Sequence, residues 1–548
     1  MAEAQIGLAA SGRSGCWKPG HENASGTESL EKTIRHIARP LYLVMRDGKP
    51  VAESSGTAIL GVSTPESGSF PLIAHATPVL PDLLGDPGFS AEMGIRYPYI
   101  AGSMAKGISS AKMAEELGRA GMLGFFGAAG LPLHEVENAL DRLKESLGNT
   151  PYGFNLIHSP QEPDLEDALV SLYINKGLRL IEASAFLALT LNLVRFRVHG
   201  ICRRPDGTVH APNRIIAKVS REELAARFFS PPPEKFLKEL IAKGEITEEQ
   251  AGLAAKIPMA QYVTAEADSG GHTDNRPAIA LFPTILSLAG RMEKEFGYDC
   301  RLHVGLGGGI STPASAAAAF AMGAAYIMTG SVNQACIEAG TSEAVRQMLT
   351  ETRQADVTMA PAADMFEMGV TVQVLKRGTM FPMRAAKLYE MYKSFPGIES
   401  IPAVEREKLE KTMFLAPLED IWRDTRSYFE KRDPKQVERA ERDPKHRMAL
   451  VFRWYLGQAA HWAKDGNLDR KMDYQVWAGP SMGAFNEWVA ESFLANAAQR
   501  KVVTVAKNIL YGAAVLSRAA MLRSQGVQLP AEAVKIPPMQ DAELKEYF

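Results

Sequence analysis

Between residues 97 and 329 one unit recurs eight times, a short apolar run followed by a longer stretch of helical period. The runs lie at 97–101, 122–127, 152–157, 178–183, 214–219, 262–267, 301–306 and 325–329. Parallel strands buried on both faces read as near-continuous apolar runs, and each needs a crossover helix to reach the next. The segment Ala111-Lys-Met-Ala-Glu-Glu-Leu-Gly-Arg-Ala and residues 136–147 carry the amphipathic spacing of such helices. Eight strand-helix units over about 240 residues predict an α/β protein with a (β/α)8 TIM barrel.

The barrel is expected over residues 91–395. Ahead of it, Leu41-Tyr-Leu-Val-Met, then Asp47-Gly48, then Pro50-Val-Ala read as a hairpin inside a small β-containing region at 31–90, with a frayed terminus over 1–30. Residues 396–548 read as a helical C-terminal region, whose Ala513-Ala514-Val515-Leu516 stretch suits a buried helix or a homodimer contact. The tetrapeptide Arg432-Asp-Pro-Lys recurs ten residues on as a charged connector, which is no repeat architecture. Two connections exceed what a crossover needs, 196–213 and 221–258, the latter opening with Pro231-Pro232-Pro233. Insertions of this kind are expected on the active face, as a lid or docking surface.

A balance of 61 Lys plus Arg against 63 Asp plus Glu argues against a nucleic-acid grip as the main task. The four cysteines form no Cys-x-x-Cys pair, so neither a metal centre nor a disulfide framework is expected. Residues 1–27 hold no apolar stretch long enough for a signal or membrane span, and a cytoplasmic location is expected.

The chemistry-bearing residues fall at the strand ends. The run Tyr-Val-Thr-Ala-Glu266-Ala-Asp-Ser-Gly270-Gly271-His272 delivers an imidazole straight from the sixth strand, flanked by Asp268, Asp274 and Arg276. Imidazole gains and loses a proton near neutral pH, so His272 is the leading catalytic candidate. Asn155, Glu182, Lys218 and Glu266 come late in strands three to six and are expected to form a polar ring on one rim. Gly307-Gly308-Gly309 follows strand seven and opens an Ala-rich helix, while Thr329-Gly330-Ser331 ends strand eight. Exposed backbone N–H groups at such loops hold phosphate. Ile310 stands where a Gly-x-Gly-x-x-Gly dinucleotide fingerprint needs its last glycine, so that reading fails. Gly102-Ser103-Met104-Ala105 and Phe126-Gly127-Ala128-Ala129-Gly130 are small-residue turns against which a planar ring can stack.

With these segments together, the chain resembles the flavin-dependent nitronate monooxygenase and enoyl reductase superfamily. Through Ser269-Gly-Gly-His-Thr-Asp-Asn-Arg-Pro277 and Gly479-Pro-Ser-Met-Gly-Ala-Phe-Asn486 it more closely resembles the PfaD family, enoyl reductases of polyunsaturated fatty acid and trans-acyltransferase polyketide synthases. The resemblance implies FMN, with its phosphate at Gly307, Gly308, Gly309, Thr329, Gly330 and Ser331. It further implies Asn155, Lys218 and Glu266 around the ribityl chain and ring, and Met104 and Ala105 against the isoalloxazine. NADPH would supply hydride, an enoyl thioester on acyl carrier protein would be the substrate, and synthase subunits the partners. Arg195, Arg197, Arg203 and Arg204 are candidates for a basic patch facing the carrier. A nitronate oxidase, a flavin-free sugar-phosphate barrel and a non-catalytic scaffold subunit are the rival readings.

Overall fold

The computed structural model describes residues 7–8, 15–20, 29–61, 67–158 and 163–548. Eight parallel strands close into a barrel: β1 Tyr99–Ala101, β2 Leu123–Phe126, β3 Gly153–Ile157, β4 Leu180–Ser184, β5 Arg214–Val219, β6 Tyr262–Glu266, β7 His303–Gly307 and β8 Ile327–Thr329. Each expected run holds a strand, and β8 pairs with β1 through Ile327 and Tyr99 to close the ring.

The barrel interior is filled rather than open. Helix Pro87–Met93 plugs its lower end, stacking Phe89 on Tyr326 with ring centroids 4.3 Å apart. Gly153 and Gly305 leave room for these rings, since a Cβ at either would stand 2.2 Å from Phe125 or Tyr326. A methyl group there would break the close packing on which a small barrel depends.

Before the barrel, a five-stranded antiparallel sheet runs in the order Lys49–Glu53, Leu41–Arg46, Phe70–Ala76, Gly15–Lys18, Thr57–Leu60. Asp47 and Gly48 turn the expected hairpin with φ of 50° and 76°, as a two-residue loop requires. The expectation of a frayed terminus over 1–30 is corrected where residues are described: Trp17 is buried and its strand is paired on both sides. The rest of that stretch lies largely outside the described residues.

The C-terminal half also differs from the expectation of a single helical region beginning at 396. Helices from Phe381–Ser394 to Pro444–Asp465 surround a core of their own, with Phe366, Leu388, Trp422, Phe452 and Tyr455, and form a helical module. The chain then returns to the barrel. Helix Val502–Ser524 lies against the helices Pro313–Ala321 and Ala111–Arg119, taking the place of an eighth barrel helix. Gly512 permits this approach, as a Cβ there would meet Pro313 at 2.5 Å. Ala513, Ala514 and Val515 are fully buried within the chain, as the buried-helix reading of this stretch expects. Periodicity shows that a helix covers a core; it does not show which core.

The long connections do not lie on the active face. Residues 199–213 form a loop and the small hairpin Cys202–Arg203 with Val209–His210, ahead of β5 at the plugged end, where Arg214 donates to the carbonyl of Glu92. Residues 221–258 fold into helices Glu222–Phe229, Glu234–Ala242 and Glu248–Ala254, which bury Phe228, Leu240 and Leu253 on the outer wall. Apolar packing, not access, accounts for that length. Among the described residues no helix is long and apolar enough to cross a membrane.

Candidate active site

All the strand-end residues singled out in the sequence gather at the end of the barrel opposite the plug. The turn after β1 is fastened on three sides. Gly102 N–H donates to Thr329 O at 3.0 Å, Ser103 N–H to Glu182 Oε2 at 2.7 Å, and Met104 N–H to Ser109 Oγ at 2.9 Å. Gly127 lets this turn lie against the next, since a Cβ there would stand 1.7 Å from Met104 O. Met104 and Ala105 therefore sit where two backbone turns meet. Asn155 Oδ1, from β3, accepts the N–H groups of Ala128 and Ala129 at 2.7 and 3.2 Å.

Lys218 stands between two carboxylates, with Nζ 3.3 Å from Glu182 and 3.1 Å from Glu266. Burial disfavours its charge, but Glu266 and Glu182 outweigh that and raise its pKa above the ordinary lysine value.

On the other side of the rim, Gly307 ends β7 and Gly308 and Gly309 adopt φ of 81° and 75°. A Cβ on Gly308 would meet Ala267 O at 2.5 Å, whereas Gly309 and Gly330 face open space. Thr312 caps the helix Pro313–Ala321, so its N-terminus points at this opening. Thr329 is tied to Tyr99 and Asn333, and Ser331 Oγ accepts the N–H of Gly479 at 3.0 Å. Four hydroxyls near the strand ends, on Ser103, Ser184, Ser269 and Ser311, are buried without a partner. Buried polar groups normally find one.

His272 is carried by a small sheet laid over the rim. Gly271–His272 pairs with Thr371–Leu375, which pairs in turn with Val357–Pro361. Gly270 rests on Ala478 and Gly479; a Cβ on Gly270 would stand 2.8 Å from Ala478. Asp268 Oδ1 receives Asn275 at 2.8 Å and Gln373 at 2.7 Å, which fixes the loop before the imidazole. Asp274 is turned outward to Ser220 and Arg221.

Sequence reasoning missed Asp364, whose Oδ1 lies 3.2 Å from His272 Nε2. Burial lowers the imidazole's pKa, yet the Asp364 carboxylate, helped by Glu266, raises it on balance above the ordinary value. Asp364 is correspondingly held below the usual carboxylate value, against burial, by its bond to His272. The two shifts run in the opposite directions that a hydrogen bond between an imidazole and a carboxylate produces. The Pro361-Ala-Ala-Asp364 segment carries no motif, and the pair is 92 residues apart, so nothing local announces it.

The four arginines expected to form a basic patch do not lie at this rim. Arg195 is buried between Asp167 and Glu245, Arg197 donates to the carbonyls of Pro258 and Asn213, and Arg203 and Arg204 lie on the hairpin at the plugged end. A guanidinium fork satisfies several buried acceptors, which is the work of Arg195 and Arg197.

Known proteins share this architecture. The crystal structure of the enoyl reductase domain of MlnA, from the macrolactin biosynthesis cluster of Bacillus amyloliquefaciens, superposes with a TM-score of 0.76 at 40% identity, covering 81% of this chain and 99% of that one. The chain belongs to the PfaD family. A polyunsaturated fatty acid synthase subunit of Thraustochytrium sp. is 49% identical over 460 residues, 82% of this PfaD chain and 31% of that protein. Polyketide biosynthesis protein PksE of Bacillus subtilis is 43% identical over 434 residues, 79% of this chain and 56% of that protein. The PfaD chain thus spans between about a third and a little over half the length of these two relatives. Residues 395–474, most of the helical module, match the model of the inserted helical domain of [acyl-carrier-protein] S-malonyltransferase.

Proposed function

We propose that this chain is a trans-acting enoyl reductase of polyunsaturated fatty acid or polyketide biosynthesis. It saturates the 2,3-double bond of enoyl thioesters on acyl carrier protein, with FMN as cofactor and NADPH as hydride donor. The paired His272 and Asp364 beside a glycine-rich rim carry this reading.

The residues present fit FMN. Gly309 and Gly330 leave open space before a helix N-terminus, as a phosphate requires. The unpartnered hydroxyls of Ser103, Ser184, Ser269 and Ser311 are donors awaiting acceptors. Gly307, Gly308, Gly309, Thr329, Gly330 and Ser331 would hold the phosphate. Asn155, Lys218 and Glu266 would hold the ribityl chain and ring, with Gly102, Ser103, Met104 and Ala105 behind the ring and Gly270 and Gly271 beside it. FMN held by these residues would supply hydride chemistry at the β-carbon, with NADPH as the electron source.

The chain's own residues supply the proton and the electrostatics. With Nε2 held by Asp364, a protonated His272 would give the proton on Nδ1 to the α-carbon as the enolate collapses. A preorganised donor at the enolate oxygen is typically worth about 3 kcal/mol of barrier, and His272 or the backbone N–H groups of its loop would be placed to serve. The supporting sheet fixes the ring, so little orientation is lost at each turnover.

Purified protein is expected to be yellow and to oxidise NADPH when given a crotonyl thioester on carrier protein, and His272→Ala is expected to abolish product saturation. Direct oxidation of a nitronate with no thioester reduction would overturn the reading in favour of an oxidase. Unchanged saturation by His272→Ala would remove His272 from it.

A further inference from the structure

We propose that Asp364 is the positioning residue of the site, and that the helical module holds it there through Arg453. The inference rests on His272 as proton donor and adds a role for a part of the chain remote from the barrel.

His272 and Asp364 ride on one sheet. His272 lies opposite Val372 on the central strand Thr371–Leu375, and Asp364 sits on the strap joining that strand to Val357–Pro361. Asp364 Oδ1 also accepts the N–H of Met365 at 3.1 Å, which fixes the carboxylate's direction. The strap is gripped from the module at both ends. Arg453 Nε, on the helix Pro444–Asp465, donates to Ala363 O at 2.8 Å, and its Nη1 lies 3.6 Å from Glu367. His446, two turns earlier on that helix, holds Glu367 at 2.9 Å. Phe366, between them, is buried in the module's core.

The charged groups facing this pair come from several elements. Asp364 and Glu266 favour the imidazolium and Lys218 opposes it, while Arg453 favours the Asp364 carboxylate. Asp364 is the nearest of them to the ring and makes its hydrogen bond. It holds Nε2, leaves Nδ1 free, and favours the charged form of the ring. On this view the module completes the proton donor.

The test is the titration of His272, read by NMR from carbon-labelled imidazoles in flavin-free protein and assigned with His272→Asn. The midpoint is expected above about 6.5 in the wild type and lower by about one unit in Asp364→Asn. Asp364→Glu is expected to restore it, and Arg453→Met to give a smaller shift in the same direction. In loaded enzyme, Asp364→Asn is expected to lower kcat for enoyl reduction about tenfold and move the alkaline limb of the profile to lower pH. NADPH-driven flavin reduction and the KM for NADPH should not change. An unmoved His272 titration in Asp364→Asn overturns the proposal. If that variant does not fold, an unmoved titration in Arg453→Met overturns it. Full reductase activity in His272→Ala would instead remove His272 as the proton donor of the proposed function and leave the titration result standing.

Discussion

Lys218 Nζ stands 3.3 Å from Oε1 of Glu182, whose side chain is 0% exposed. An ion pair this deep is weak evidence of net stabilisation, but removing one partner strands the other. Lys218→Met is therefore expected to destabilise the barrel by about 3 kcal/mol, with the double variant Lys218→Met/Glu182→Gln recovering much of the loss. Thermal unfolding of the flavin-free proteins checks this, with a drop of about 3 °C expected for the single variant. A double variant no better than the single would show that Lys218 acts through packing alone.

Gly308 and Gly330 separate fold from binding. Gly308 has φ of 81° and no room, since its Cβ would meet Ala267 O at 2.5 Å, so Gly308→Ala is expected to cost about 2 kcal/mol or more. Gly330 has φ of −132° and open space, so Gly330→Ala should leave flavin-free stability within about 0.5 kcal/mol. Its methyl group would nonetheless occupy the space offered to a phosphate. Flavin bound per mole of purified Gly330→Ala should fall well below the wild-type ratio. An unchanged ratio would place the phosphate elsewhere.

The barrel was legible because its strands are buried on both faces and so read as unbroken apolar runs, with edges off by only one or two residues at most ends. The rim was legible because strand-end register follows from the strands. Asp364 was not, because the strap that bears it is placed by a sheet formed across 92 residues of sequence. Arg195 and Arg197 were misassigned because charge was taken for exposure, although both guanidinium groups are buried on protein acceptors. The helical module was seen as helices but not as a separate core, since Phe366, Val372 and Val374 join it from the strap and sheet before it.

Asp274 gives an acid-stability signature. Its bond to Arg221, with Ser220 and the Arg276 charge adding to it, holds its pKa near about 2 against partial burial. A carboxylate depressed in the folded state contributes stability above its unfolded pKa and loses it as pH falls through the folded one. Arg221 is half exposed, so screening reduces the effect to about 1 kcal/mol. Asp274→Asn should be less stable than wild type by that amount at pH about 6, and the gap should close between about pH 4 and 2. A gap that persists in acid would mean the lost bond is not ionic.

Lys106 gives the opposite signature. It sits in the turn after β1 with φ of 58°, and its Nζ donates to Gly457 O at 2.9 Å, tying that turn to the same helix that bears Arg453. Burial, reinforced by Lys464, pulls its pKa down to about 8. The folded state therefore binds this proton less tightly than the unfolded chain, so the lysine's contribution to stability rises with pH between about 8 and 10.5. Lys106→Met cannot titrate. The stability of wild type relative to Lys106→Met should increase from pH about 7 to 9.5, by no more than about 2 kcal/mol. A constant difference over that range would show that the ammonium is as well solvated in the folded protein as in the unfolded chain, and that the bond to Gly457 alone accounts for whatever Lys106 contributes.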